Sequence, residues 1–263
     1  MVDNQKVVAI IQARMTSSRL PGKVMKEIAG IPMIQHVINR VSTAKLVDDV
    51  LVATTTDETD DEIESFCTQN NYSYFRGHSF DVLDRYYQAA KSNEAEIIVR
   101  ITGDCPLMDS FLIDSLLDAF LDCEVDFAAN RLPPPWKRTY PIGLDIEIAK
   151  LSALEKAWKE AESQFEREHV MPYLYDQPGR FKILLKHHDP DYGKKRWTVD
   201  TPQDLEFVRI IFDHFSPRLD FSWNEVIHFL EINPQLEQLN ASVNAKKVDD
   251  IDNRFMIGTK NHE

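Results

Sequence analysis

Residues 7–23 read V-V-A-I-I-Q-A-R-M-T-S-S-R-L-P-G-K. Val7–Ile11 is a continuous apolar run, the pattern of a strand buried on both faces. It runs directly into a loop carrying Arg14, Arg19 and Lys23, with the turn pair Pro21-Gly22 just before the lysine. Five basic residues and no acidic one lie between Asn4 and Lys26, in a chain whose formal net charge is −13. A cationic, hydroxyl-rich loop at the end of a first strand suits a polyphosphate. Two guanidiniums can bridge phosphate oxygens bidentately and an ammonium adds a compact charge. Ser17, Ser18 and the loop amides supply neutral donors, and Gly22 permits positive φ and close backbone approach. The competing reading is a basic surface loop whose Pro-Gly pair only turns the chain.

Two common phosphate motifs fail on a direct count. A Walker A loop needs G-x-x-x-x-G-K-[ST]; here Ser17 stands where the first glycine belongs, and Val24 follows the lysine. No G-x-G-x-x-G follows the first strand, so a dinucleotide site of that kind is not indicated. What remains is R-x-x-S-S-R-L-P-G-K.

Outward from this stretch the chain alternates strand-like and helix-like patterns. Met33, Ile34, Val37, Ile38 and Val41 fall at helical spacing, Val50–Ala53 reads as a strand, Asp60–Gln69 as a helix and Tyr72–Phe75 as a strand. A helix from about Phe80 to Ala90, a strand Ile97–Ile101 and a helix Ser110–Leu121 continue the rhythm. Such βαβ alternation predicts a parallel sheet with right-handed crossovers. The rhythm then breaks at the proline-stiffened stretch N-R-L-P-P-P-W-K-R-T-Y, residues 130–140. Ile142, Leu144, Ile146 and Ile148 alternate with Gly143, Asp145 and Glu147, predicting a half-buried strand with both carboxylates on one face. Helices are expected at Ser152–Glu162, Glu166–Tyr175, Pro202–Phe212 and 222–239, and strands at Phe181–Lys186 and Arg196–Val199. The expectation is one α/β domain over residues 1–240, a Rossmann-like mostly parallel sheet flanked by helices. It carries an inserted lobe around 130–190 and a polar tail over 241–263.

Composition bounds the partners. With 43 Asp+Glu against 30 Lys+Arg, general nucleic-acid binding is disfavoured, so local basic clusters are the informative ones. Three cysteines without C-x-x-C spacing suit reduced thiols in a cytoplasm. No secretory apolar region and no run approaching ~18 apolar residues is present.

Two aspartates stand out by elimination. Asp104 lies in a Gly-Asp turn at the carboxyl end of the strand Ile97–Ile101, the edge where ligands of open α/β sheets gather. Asp109 is the better N-cap for the helix at 110–121, which leaves Asp104 free. Near residue 200, Thr201 is a good N-cap, Pro202 fits the first helical position and Asp204 the third. Asp200 is then left without a structural task. Asp145 and Glu147 read either as a solvent-facing strand side or as site residues. Arg167 and His169 read either as helix-surface pairs or as acceptor contacts. Arg100 is a strand-end residue that could face the site.

The segment I-Q-A-R-M-x-S-S-R-L-P-G-K resembles the N-terminal signature of the cytidylyltransferases that make CMP-activated acid sugars. These include the CMP-KDO and CMP-sialic acid synthetases and the branch resembling the spore-coat polysaccharide protein SpsF. The likeness recurs at R-I-T-G-D-C-P-L (100–107), Y-P-I-G-L-D-I-E (140–147), E-R-E-H-V-M-P-Y (166–173) and R-W-T-V-D-T-P-Q-D-L (196–205). It implies CMP transfer from CTP to an acidic sugar, with Mg2+ held by Asp104 and Asp200. It further implies nucleotide contacts from Gln12, Ala13, Arg14, Ser17, Ser18, Arg19, Lys23, Thr102 and Gly103. Catalytic roles fall on Arg14, Lys23 and Asp104, and acceptor contacts on Arg100, Asp145, Glu147, Arg167 and His169. The resemblance also implies a homodimer. The rivals are a metal-dependent glycosyltransferase, of whose D-x-D motif Asp145-Ile146-Glu147 is a loose imitation, and a non-catalytic nucleotide-sugar-binding protein.

Overall fold

The structure is a computed structural model and describes residues 5–244. The expected tail lies, beyond residue 244, outside the described residues. In chain order the elements are β1 (Val7–Gln12), a small ribbon of β2 (Glu27–Ile28) and β3 (Ile31–Pro32), α1 (Met33–Val41), β4 (Asp49–Thr55), α2 (Asp61–Gln69), β5 (Ser73–Gly77) and α3 (Val82–Ser92). Then come β6 (Ile97–Thr102), α4 (Ser110–Asp122), β7 (Phe127–Ala129), β8 (Glu147–Lys150), α5 (Leu151–Glu160), α6 (Gln164–His169) and α7 (Pro172–Tyr175). The last are β9 (Ile183–Leu185), α8 (Pro202–Phe215) and α9 (Trp223–Ile232).

Seven strands form one sheet in the order β5-β4-β1-β6-β8-β7-β9. The first four in that order are mutually parallel. β8 is antiparallel to both β6 and β7, and β9 is parallel to β7. This is the expected mostly parallel α/β architecture, and the stretch 130–190 contributes β8 and β9 to that same sheet.

Alternate side chains of β1 enter two cores. Val7, Ala9 and Ile11 pack with α1, α2, α4, α8 and α9, whereas Val8 and Ile10 pack with α3, α5 and α7. A strand covered on both faces has no polar side, which is why V-V-A-I-I shows no alternation. From β1 the chain moves to β4 and β5 on one side, then returns through α3 to β6 on the other. The strand order therefore reverses between β1 and β6. Ligand crevices of open α/β sheets form at such a reversal, outside the carboxyl ends of the strands. Among the described residues no helix is long and apolar enough to cross a membrane.

Local signals explain the element ends. Asp109 accepts from the Phe111 and Leu112 amides and caps α4, as expected. Thr201 and Asp204 form a reciprocal capping box on α8, with Pro202 in its first turn. Expected boundaries elsewhere shift by one to three residues, except that the helix expected over 222–239 ends at Ile232 and a separate 3-10 helix covers Pro234–Leu239.

Three expectations need correction. The alternating run 142–148 is not one strand; β8 begins only at Glu147. Gly143 has φ +108°, and a Cβ there would stand 2.6 Å from the Thr198 nitrogen, so the backbone bends where the alternation predicts extension. The Asn130 side chain takes over the missing ladder, donating to the Leu144 carbonyl (2.6 Å) and accepting from the Ile146 amide (2.9 Å). Second, Arg196–Val199 forms no named strand. The Trp197 and Thr198 amides both reach the Ile142 carbonyl, and the Val199 amide reaches the Asp104 carbonyl. Third, the helix expected over 166–175 is two short helices. They are broken at Val170, which sits at φ +72°, a conformation costly for a β-branched residue.

Candidate active site

The loop after β1 is anchored from below by a residue that belongs to no sequence motif. Asp60, 1% exposed, accepts from the Met15 amide at 2.7 Å and from Thr54 Oγ1, the Thr55 amide and Thr55 Oγ1 at 2.5–3.1 Å. A buried carboxylate without hydrogen bonds is very costly, so these four donors fix its position. They thereby fix Met15 and the start of the loop. Its position just beyond the carboxyl end of β4 was the available signal. Ala13 is tied to Ala53 and Gly103 to Gln12, so the ends of β1, β4 and β6 are stitched side by side. Gln12, Ala13, Arg14, Thr102 and Gly103 thus share one edge.

Farther along the loop, Gly22 adopts φ +65° and Lys23 opens a single 3-10 turn. That geometry sends the lysine side chain inward, where it is 9% exposed. Its ammonium donates to Asp104 Oδ2 at 2.6 Å, Asp200 Oδ1 at 2.8 Å and the Val199 carbonyl at 2.9 Å. An ammonium has three donors, and all three are used. Burial opposes the charged lysine, but the two carboxylates outweigh it and its pKa lies above the ordinary lysine value.

Asp200 is shared further, with Arg19 Nη2 and Arg196 Nη2 each at 2.8 Å. The reading of Asp200 as free of structural duty is therefore wrong: it ties the phosphate-loop candidate to α8. Arg196 is held in turn by Asp204, which is fully buried and accepts from Arg196 Nε at 2.9 Å. Burial alone would raise the Asp200 pKa; Lys23, Arg19 and Arg196 more than offset that and hold it at about 2. A carboxylate with a depressed folded-state pKa adds stability that is complete above its ordinary value and lost as pH falls toward the folded one. The stability gap between the wild-type chain and Asp200→Asn is therefore expected to close between about pH 4 and pH 2. Urea titrations across that window check this, and a constant gap would remove the linkage.

On the other side of β6, Arg100 pairs with Glu147 and approaches Gln12 Oε1 at 3.5 Å. Asp145 does not join them. It is gripped by Arg138, whose Nη2 lies 2.8 Å from Oδ2, so the two carboxylates serve separate arginines and make no D-x-D pair. Arg167 is likewise committed elsewhere: it clamps Asp81, the cap of α3, and the Trp158 carbonyl. It braces helices. His169 stays near Arg100, and burial together with the Arg100 and Arg131 charges pushes its pKa down to about 4, leaving it neutral at pH 7. Ser18 is exposed on the loop, and the Ser17 hydroxyl accepts from the Leu20 amide.

The two buried cysteines, Cys67 and Cys105, offer no activated thiolate. Burial pushes Cys67 up to about 11 and Cys105 well above the usual thiol value.

A cationic loop, two carboxylates on one ammonium and a sheet reversal together make a candidate polyphosphate site. Comparison with known proteins gives the family. The chain is 31% identical over 239 residues to the spore coat polysaccharide biosynthesis protein SpsF of Bacillus subtilis, covering 87% of this chain and 95% of that protein. It is 40% identical over 111 residues to a 3-deoxy-manno-octulosonate cytidylyltransferase of Geobacter sulfurreducens, covering 42% of this chain and 44% of that protein. The structure of a cytidylyltransferase from Leptospira borgpetersenii superimposes with a TM-score of 0.84 at 35% identity, covering 93% of this chain and all of that one. The cytidylyltransferase family profile matches residues 8–248, and the chain belongs to that family.

Proposed function

We propose that this protein transfers CMP from CTP to a hydroxyl of an acidic sugar, releases pyrophosphate, and binds Mg2+ at Asp104 and Asp200. The observation that carries this reading is the meeting of Lys23, Asp104 and Asp200 beside the crevice between β1 and β6. The donor set fits the metal. Mg2+ takes oxygen ligands and is usually held by one or two carboxylates together with substrate phosphates. Here two carboxylates converge on one cation, and among the described residues no group of three or more His, Cys, Asp or Glu offers a competing site. When bound, Mg2+ would neutralise charge on the phosphate oxygens.

The chain's own residues supply the rest. Arg14, Arg19 and Lys23 lie on one loop and neutralise the charge that grows on the departing β,γ-phosphates. The acceptor oxygen forms its bond to the α-phosphorus as the bridging Pα–O bond breaks in line. No covalent enzyme intermediate is needed, in keeping with the raised pKa of the buried Cys67 and Cys105 thiols. A homodimer built through residues 130–190 and a cytoplasmic setting belong to the same reading.

The test is a pyrophosphate-release assay of CTP, ATP, GTP and UTP against acidic sugars and sugar phosphates, with and without Mg2+. Release is expected with CTP, an acidic sugar and Mg2+. Asp104→Asn should reduce it on the order of 10²-fold or more. Near-normal turnover of that variant in Mg2+ would remove the metal assignment.

A further inference from the structure

The last described segment, residues 234–244, is seated by polar contacts and not by burial. It opens with a 3-10 helix, Pro234–Leu239, whose Leu236 is the last described residue packed against the apolar core. Glu237 is pinned by Lys195 Nζ at 2.7 Å. Beyond it the usual burial pattern inverts: Leu239 is 40% exposed, whereas Asn240 is 3% exposed between exposed neighbours. Asparagine is mostly a surface residue, so its burial needs a cause. Close packing does not supply one, because Asn240 and Val243 line a cavity of about 590 Å3 together with Tyr192, Lys195 and Phe207.

Hydrogen bonds supply it. Asn240 Nδ2 donates to the Arg196 carbonyl and to Asp204 Oδ1, each at 3.0 Å, so both of its hydrogens are spent. Asp204 Oδ1 also accepts from Arg196 Nε at 2.9 Å, and Arg196 Nη2 reaches Asp200 Oδ2 at 2.8 Å. The Val243 amide closes a turn onto the Asn240 carbonyl at 3.0 Å, and the next residue, Asn244, offers its carbonyl to Arg19 Nη1 at 3.0 Å. Arg19 Nη2 then meets the same Asp200 Oδ2 at 2.8 Å. Two guanidiniums thus grip one oxygen of Asp200, and each is held from behind by the segment 240–244. The other oxygen, Oδ1, is left to Lys23. The terminal torsion of an aspartate is soft, so without such a grip its two oxygens exchange places readily.

Resting on the CMP-transfer reading, we propose that Asn240 is a positioning residue for that reaction: acting through Asp204 and Arg196, it fixes the carboxylate of Asp200 with Oδ1 toward Lys23. Asn240 itself touches no substrate. The segment 240–244 thereby belongs to the working site, although it lies well beyond the last motif, which ends at Leu205.

A double-mutant cycle in the full chain tests this. It is read as kcat for pyrophosphate release with 3-deoxy-manno-octulosonate or N-acetylneuraminate, and as CTP binding by calorimetry in Mg2+. Asn240→Ala should lower kcat about tenfold, the scale for a group that orients a site residue from behind, and leave the KM of the acid within about twofold. In an Asp200→Asn background the same substitution should change kcat by less than about twofold, because the residue through which it acts is gone. Equal losses in both backgrounds would mark a merely structural role and overturn the proposal, as would an unchanged kcat in Asn240→Ala. Asn240→Ser, which keeps a small polar group in the buried position, carries the same comparison should the alanine variant not fold. If neither acid releases pyrophosphate, the CMP-transfer reading falls, and CTP binding decides for Asn240 by itself. The same tenfold weakening should then appear in the wild-type background and be absent from Asp200→Asn. A wild-type chain that binds no CTP overturns the proposal as well.

Discussion

Lys23→Met should lower kcat by at least about 10²-fold, the scale seen when one preorganised donor to a developing phosphate or oxyanion charge is lost. Methionine keeps an unbranched stem in the same buried channel but removes the charge and all three donors. Asp104 Oδ2 and Asp200 Oδ1 would then face one another without the cation that lies 2.6 and 2.8 Å from them. Breaking a buried ion pair from one side costs about 3–5 kcal/mol, so thermal unfolding must be measured beside activity. Lys23→Arg separates the two effects. It restores the charge and much of the stability, but a planar fork cannot place donors on three acceptors arranged around a point. Its kcat should therefore remain low while its Tm returns toward that of the wild type. A folded Lys23→Met protein within tenfold of wild-type kcat would end the assignment of Lys23 to the reaction.

Asp204→Ala should be the most destabilising single change near the site. Asp204 is fully buried and accepts from Arg196 Nε and Nη2, the Asp200 and Thr201 amides, Thr201 Oγ1 and Asn240 Nδ2, all within 3.2 Å. Alanine strands a buried guanidinium and dissolves the capping box of α8 together. A loss of about 3–5 kcal/mol is expected, read as a fall in Tm of roughly 10 °C or more. Activity should fall as well, because Arg196 Nη2, which Asp204 shares, orients Asp200 at 2.8 Å. Asp204→Asn keeps the shape but loses the anion, and it should lie between the two. If Asp204→Ala shifted Tm by less than about 3 °C, the buried network would not be what holds Asp200.

The parts of this fold legible in the sequence are those where one local pattern has one physical cause. V-V-A-I-I is apolar throughout because both faces of β1 are covered, and Asp104 emerged because Asp109 alone suits the cap of α4. The alternation at 142–148 misled because alternating apolar residues report burial and not hydrogen bonding. Leu144 and Ile146 are indeed buried, yet their backbone groups bond to the side chain of Asn130. Asp200 looked idle because its bond to Lys23 spans 177 positions, a distance over which no spacing rule operates. Asp60 and Asn240 carry no motif at all; only their hydrogen bonds bring them forward.

The span of that Lys23–Asp200 bond also bears on how the protein is made. A ribosome that has delivered the chain through β9 has delivered every strand of the sheet and a cationic loop whose counter-ions are incomplete. Asp200 and Arg196 follow later, and the last described links come from Asn240, which reaches the Arg196 carbonyl, and from the Asn244 carbonyl, which accepts from Arg19. The cluster around Lys23 is therefore completed only after every strand of the described sheet has been made. A chain truncated at residue 195 would possess the complete sheet but lack the groups that close the site.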